Sequence, residues 1–104
     1  MASLLVLSSK ASAESKVIIF DFISQLAVLE TVDSAVVVVD VWSGTDENPS
    51  SMLSGDPVPA NTQVSQYITD GVPGVIYKIT CTATSSNGQV LVMIAYLPVV
   101  DDLL

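Results

Sequence analysis

The stretch Gly71-Val72-Pro73-Gly74-Val75-Ile76-Tyr77-Lys78-Ile79-Thr80-Cys81-Thr82-Ala83-Thr84-Ser85-Ser86-Asn87-Gly88-Gln89-Val90-Leu91-Val92-Met93-Ile94-Ala95-Tyr96-Leu97 decides the fold. From Val75 to Ala83 the odd positions (Val75, Tyr77, Ile79, Cys81, Ala83) are apolar or aromatic, and Lys78, Thr80, Thr82 and Thr84 between them are polar. A period of two belongs to a β-strand with one face on a core and the other in water. Ser86-Asn87-Gly88 predicts a tight reversal, because Asn-Gly tolerates the positive φ of two-residue hairpin turns. Val90 to Leu97 then reads as a second strand, apolar on both faces.

Upstream, Lys16 to Phe22 reads as a strand with Ile18, Phe20 and Phe22 on one face and Val17, Ile19 and Asp21 on the other. Ile23 to Val32 places Ile23, Leu26 and Leu29 at helical spacing but lacks a cap, so an irregular connection with one helical turn is expected. Ala35 to Trp42 is a second strand, with Ala35, Val37, Val39 and Val41 on one face and Val36, Val38, Asp40 and Trp42 on the other. Its unbroken valine run, Val36 to Val39, predicts cover on both faces, by a second sheet or by a partner. Ser43 to Asn61, dense in Gly, Ser, Asp, Asn and Pro, reads as a long loop of the kind that carries function. Gln63 to Ile68 is a shorter strand, with Val64, Gln66 and Ile68 sharing a face.

At the ends, residues 1–15 are serine-rich around Leu4, Leu5, Val6 and Leu7. They read either as an extended arm that adds an edge strand to a neighbour or as a frayed terminus. Pro98 marks the start of a tail over 99–104, which leaves 16–98 as the core domain. Turn signals recur at the spacing of about 8–12 residues typical of a β-sandwich, so an all-β sandwich of about 6–8 antiparallel strands is expected. Tyr77, just after Gly71-Val72-Pro73-Gly74, stands where a tyrosine ties a sandwich corner through its hydroxyl.

The composition narrows the function. The 104 residues suffice for one core, and a content of 50% hydrophobic and 13% charged residues excludes intrinsic disorder. A mean hydropathy of +0.61 is high for a free monomer and predicts apolar surface covered by partners. The net charge is −8, with Lys10, Lys16 and Lys78 the only cations and no arginine. That balance argues against phosphate-backbone binding, hence against nucleic-acid partners, and against anionic membranes. It suits solubility, or docking onto a basic protein. No stretch reaches the ~18 apolar residues of a membrane span, and the short run Leu4 to Leu7 has no basic lead of the secretory type. A soluble product, not bound to or spanning a membrane, is expected.

Catalytic groups are scarce. With no histidine and Cys81 as the single cysteine, the common zinc, haem and thiol sites lack their ligands, and no internal disulfide can form. Cys81 lies on the inward face of its strand, where a thiol behaves as a small hydrophobe. Asp46, Glu47, Asn48 and Asp56 could offer oxygens to calcium, but their spacing fits no EF-hand and a solvated acidic loop is the stronger reading. The serines have no evident base and the glycines form no phosphate cradle. No catalytic residue, cofactor or metal site is therefore expected. Trp42, ending the valine-rich strand, reads equally as a cap on the core edge and as an interface anchor.

Several motifs in order resemble the small Ig-like fiber–tail adaptor proteins of tailed bacteriophages. They are Phe20-Asp21-Phe22, Leu26-Ala27, Glu30-Thr31, Ser34-Ala35, Ser43-Gly44-Thr45-Asp46, Pro49, Met52-Leu53-Ser54-Gly55, Gln66, Gly71 to Val75 with Tyr77, and Ala83-Thr84-Ser85 with Gly88. The likeness spans roughly residues 16 to 98. It implies an immunoglobulin-like β-sandwich and a non-enzymatic virion protein, made in the bacterial host cytoplasm, that links fibres or spikes to the tail or neck. It also implies assembly with other virion proteins and with itself in a symmetric ring. One departure is Leu29, where that family tends to carry glycine before Glu-Thr, so a different turn is expected there.

The interface candidates on this reading are Leu4, Leu5, Val6 and Leu7 in the arm; Trp42; Asp46, Glu47, Met52 and Leu53 in the long loop; and Val99, Val100, Asp101, Asp102, Leu103 and Leu104 in the tail. Two other functions fit less of the sequence. One is a capsid decoration or head-fibre base protein. The other is a carbohydrate-binding module stacking sugars on Trp42, Tyr67 and Tyr96, drawn from only six aromatics in the chain.

Overall fold

The computed structural model describes residues 2–6 and 9–101. Eight strands follow one another: β1 (Ala2–Val6), β2 (Lys10–Ala11), β3 (Lys16–Asp21), β4 (Val32–Ser43), β5 (Leu53–Ala60), β6 (Gln63–Ile68), β7 (Ile76–Ser85) and β8 (Val90–Val100). One sheet runs β1–β8–β7–β4, with β2 also on β8, and the second runs β3–β6–β5. The two close on each other as an all-β, Ig-like sandwich.

The alternation of β7 explains the closure. Val75, Tyr77, Ile79, Cys81 and Ala83 are all buried, and Leu91, Met93, Ala95, Leu97 and Val99 of β8 and Val37 and Val39 of β4 line up beside them. From the other sheet Ile18 and Phe20 of β3 meet Val64 and Ile68 of β6, with Phe22 and Met52 completing one core. Each face has the residues that its period-two pattern assigns to it.

The connection after β3 is short and irregular, with a single 3-10 turn at Ile23–Gln25, as expected from its missing cap. Leu29 holds φ +68°, the left-handed conformation that glycine takes freely and that costs other residues about 1–2 kcal/mol. The hairpin between β7 and β8 differs from the two-residue turn expected. Gly88 alone has positive φ, its N–H donates to the Ser85 carbonyl at 2.9 Å, and the Ser85 N–H donates to the Gln89 carbonyl at 2.8 Å. The glycine thus follows an ordinary turn instead of sitting inside a mirror-image one.

Three further expectations are corrected. The long loop of 43–61 holds a 3-10 turn at Pro49–Met52 and then strand β5. Pro57 and Pro59 fit there because β5 is an edge strand that needs ladder bonds only towards β6, and a bulge between Ser54 and Val58 absorbs the irregularity. Pro98 does not end the last strand: it pairs with Ile76, and the Val99 N–H donates to the Val75 carbonyl at 2.9 Å. The N-terminal segment adds to its own sheet, where β1 and β2 pair in parallel with β8. Lys10 is buried there, its Nζ donating to the carbonyls of Ala11, Ser12 and Asp70 at 2.8, 3.1 and 2.6 Å.

Phe20, fully buried between the sheets, should be among the most sensitive positions. Phe20→Ala is expected to lower unfolding free energy by about 3–5 kcal/mol, through lost burial and a residual cavity, as read by urea denaturation.

Candidate interaction surfaces

What the core does not use faces outward, and the register shows where. On the outer face of the larger sheet the rows are Ser34–Thr84–Val90, Val36–Thr82–Val92, Val38–Thr80–Ile94 and Asp40–Lys78–Tyr96, across β4, β7 and β8. A threonine ladder thus runs down the middle between two aliphatic flanks. Trp42 and Tyr96 meet at the lower end, across the intervening β7, with ring centroids 5.0 Å apart and planes at 61°. That edge-on arrangement suits the ring quadrupoles. Trp42 is nevertheless 60% exposed, so the contact leaves most of its ring in water.

β4 is also the unpaired edge of this sheet. The valine run therefore has cover on its inner face only: Val37 and Val39 are buried, whereas Val36 and Val38 are exposed. Within the chain only one of the two expected covers is present: the second sheet lies over the inner face, and nothing in the described residues covers the outer one. On the opposite side of the sandwich, Val17 and Ile19 of β3, Tyr67 of β6 and Val58 of β5 form a second exposed apolar group, with Val17 opposite Tyr67 and Val58 opposite Ser65.

The end of the molecule below Trp42 is tied by Tyr77. Its hydroxyl donates to Asp46 Oδ2 at 2.6 Å and accepts the Val72 N–H at 2.8 Å, which makes the corner expected from its position. Burial first, and then the Asp46 hydrogen bond, push the phenol up to about 12. The same bond, with that from the Asn48 N–H, holds the Asp46 carboxyl below its ordinary value. Next to this corner Gly71 has φ +103°, and a Cβ there would fall 2.9 Å from Val99 Cγ2 and 3.1 Å from Met52 Cε. At the other end, Glu30 is a buried carboxylate without a cation: it accepts from the Ser85 hydroxyl, the Ala27 N–H and the Gln89 amide. These donors, Ser85 foremost, depress its pKa.

The sequence-derived candidates do not converge on one patch. Trp42 is exposed and Glu47 and Asp101 are solvated, while Leu53 packs partly against the core. Met52 and Val99 are core residues instead: Met52 ends the 3-10 turn that leads into β5, and Val99 lies within β8, which continues past Pro98. Asp46 spends its carboxylate on Tyr77, and Val100 is half-buried at the end of β8. Leu4, Leu5 and Val6 lie in β1 on the β8 edge. Leu7, Asp102, Leu103 and Leu104 lie outside the described residues. Trp42 and Tyr96 share one outer face but Tyr67 lies on the opposite sheet, so the three do not form one sugar-stacking platform. Among the described residues no three of His, Cys, Asp or Glu gather as a metal-holding group, and no helix is long and apolar enough to cross a membrane. Cys81 is buried and its thiol is pushed up to about 12 by burial.

A compact Ig-like sandwich with tied corners and apolar outer faces is the class of protein that these features define. The model of the Gp77 family, described as podophage GP4 fiber-tail adaptor protein gp77, matches residues 10–97. The chain belongs to that family, a family of tail-associated structural adaptors of the virion. No curated protein and no solved structure matches the chain.

Two tests follow. Tyr77→Phe strands the Val72 N–H and the Asp46 carboxylate and should cost about 1–3 kcal/mol in chemical denaturation. For pH, Asp46 and Glu30 have folded-state values below their unfolded ones. Their contribution is present above about pH 4.5 and is lost as pH falls through the folded-state values. Tyr77 and Cys81 are shifted the other way, to about 12, so the unfolded chain ionises first and stability falls as pH rises past ~8.5. Thermal melts should therefore show a plateau between roughly pH 5 and 8.5. Cys81→Ala should flatten the alkaline limb, and Glu30→Gln the acid one.

Proposed function

We propose that this chain is a non-enzymatic adaptor that joins tail fibres or spikes to the tail or neck of a tailed phage, arranged with its own copies in a symmetric ring. Membership of the fiber-tail adaptor family supports a tail location and virion partners. The observation that carries the reading further is the outer face of β4, β7 and β8. Its aliphatic rows end in the Trp42–Tyr96 pair beside an unpaired strand edge. Trp and Tyr are the side chains that most often anchor protein interfaces, and an edge strand with exposed valines offers main-chain donors and acceptors to a neighbour. The chain has no histidine and its one thiol is buried and protonated, which supports a role in holding parts together instead of turning over a substrate.

Trp42→Ala tests this. A buried hot-spot anchor is worth about 2 kcal/mol or more, so incorporation of the variant into particles should weaken by roughly 30-fold while the melting temperature of the free protein is almost unchanged. Equal losses of incorporation and of free-protein stability would make Trp42 a core cap and remove the proposed contact.

A further inference from the structure

Among the described residues the most exposed aliphatic side chains are not on either sheet. Val28 and Leu29, at the apex of the β3–β4 connection, are 92% and 95% exposed, and Ile23 below them is 63% exposed. The apex is a defined turn: the Glu30 N–H donates to the Ala27 carbonyl at 3.0 Å, and Leu29 takes the left-handed φ of its third position. Both flanks are fastened. On one side Asp21 Oδ1 accepts the Ile23 N–H at 3.0 Å and the Thr62 carbonyl accepts the Phe22 N–H at 2.9 Å. On the other the Thr31 carbonyl accepts the Ser86 N–H at 2.7 Å, and Glu30 is held by Ser85 and Gln89.

Such a turn presents two adjacent aliphatic side chains to water in a backbone conformation that disfavours leucine, and neither side chain finds cover among the described residues. Beside it lies a hollow of about 350 Å³ lined by Leu26, Ala27 and Thr62 as well as by the apex residues. Among the described residues the exposed charges at this end are Asp21 and Asp33, both acidic, with the buried Glu30 carboxylate beneath them. The three lysines sit elsewhere: Lys10 is buried against the Asp70 carbonyl, Lys16 contacts Ser9 and Glu14, and Lys78 lies opposite Asp40 towards the far end of β7.

From these features we infer that the Ala27–Glu30 turn is a preformed docking peg, and that its receptor is an apolar socket rimmed by lysine or arginine on a different virion polypeptide. Charge decides the choice of occupant. An acidic collar around an apolar tip calls for a basic rim, and a second copy of this chain has no arginine and no free cluster of lysines to supply one. Preorganisation also favours the peg, since a turn already fastened on both flanks loses little freedom on binding. The inference rests on the adaptor reading and specifies one of its contacts.

The test uses the full-length protein supplied to phage particles that lack it. Val28→Ser/Leu29→Gly should fold with a melting temperature equal to or above that of the parent, since glycine relieves the turn, and should enter particles at least 10-fold less well. Asp33→Lys, which inverts one charge of the collar, should lower incorporation in the same direction. A benzoylphenylalanine placed at position 28 should cross-link, in purified particles, to a peptide of another virion protein bordered by lysine or arginine. Normal incorporation of the double variant, or cross-links only between copies of this chain, would overturn the peg. If the double variant is misfolded, the cross-link alone decides. Failure of the parent protein itself to enter particles would instead remove the adaptor reading.

Discussion

The inward row of β7 is the constraint on which the rest of the molecule depends. β7 is flanked by hydrogen-bonded strands on both sides, β4 and β8, and its buried residues face Ile18, Phe20 and Phe22 across the sandwich. Bulk falls along it, from Tyr77 through Ile79 and Cys81 to Ala83, and a one-residue slip would turn all of them into water and the threonines into the core. The Tyr77 hydroxyl then fastens one end of the sandwich through Val72 and Asp46. At the opposite end Ser85 and Gln89, where β7 turns into β8, hold the Glu30 carboxylate. Both ends of the sandwich are thus tied to the same strand.

A core filled this way leaves a surplus. The chain has more valine and isoleucine than its interior can take, and the remainder lines the outer rows of both sheets and the β3–β4 apex. Isolated apolar side chains on a surface need no explanation, but contiguous rows that end in a Trp–Tyr pair do. Membership of the fiber-tail adaptor family supplies the context: a tail-associated structural adaptor works beside other virion proteins, and the proposed contacts would cover surface that is costly in the free chain. The acidic excess suits basic neighbours at the contact proposed for the β3–β4 apex.

Much of the fold was legible because period-two patterning is strong wherever a strand has one wet face. β3, β6 and β7 follow their sequence-derived limits within a residue or two, and the Tyr77 corner follows from its place after Gly74. What escaped was whatever depends on position in a sheet. Pro57 and Pro59 read as loop because they could not serve a central strand, yet an edge strand tolerates them. Pro98 reads as a stop in sequence but is tolerated within β8, so Val99 belongs to the core and not to a tail. The valine run of β4 gave no sign that its strand lies at a sheet edge, with only one face under the second sheet. Among the candidate contacts, Trp42 was readable from its type and place. Val28 and Leu29 were not, because their exposure follows from a left-handed turn that the pattern of leucine and valine gives no reason to expect.

The central claim is that the outer face of the β4–β7–β8 sheet is buried by neighbouring subunits at the tail. An electron cryo-microscopy reconstruction of the intact phage tests it most directly. Copies of this sandwich are expected around the tail axis, with density from an adjoining chain packed over Trp42 and Tyr96. Copies found on the capsid lattice, or at the tail with that face open to solvent, would contradict it.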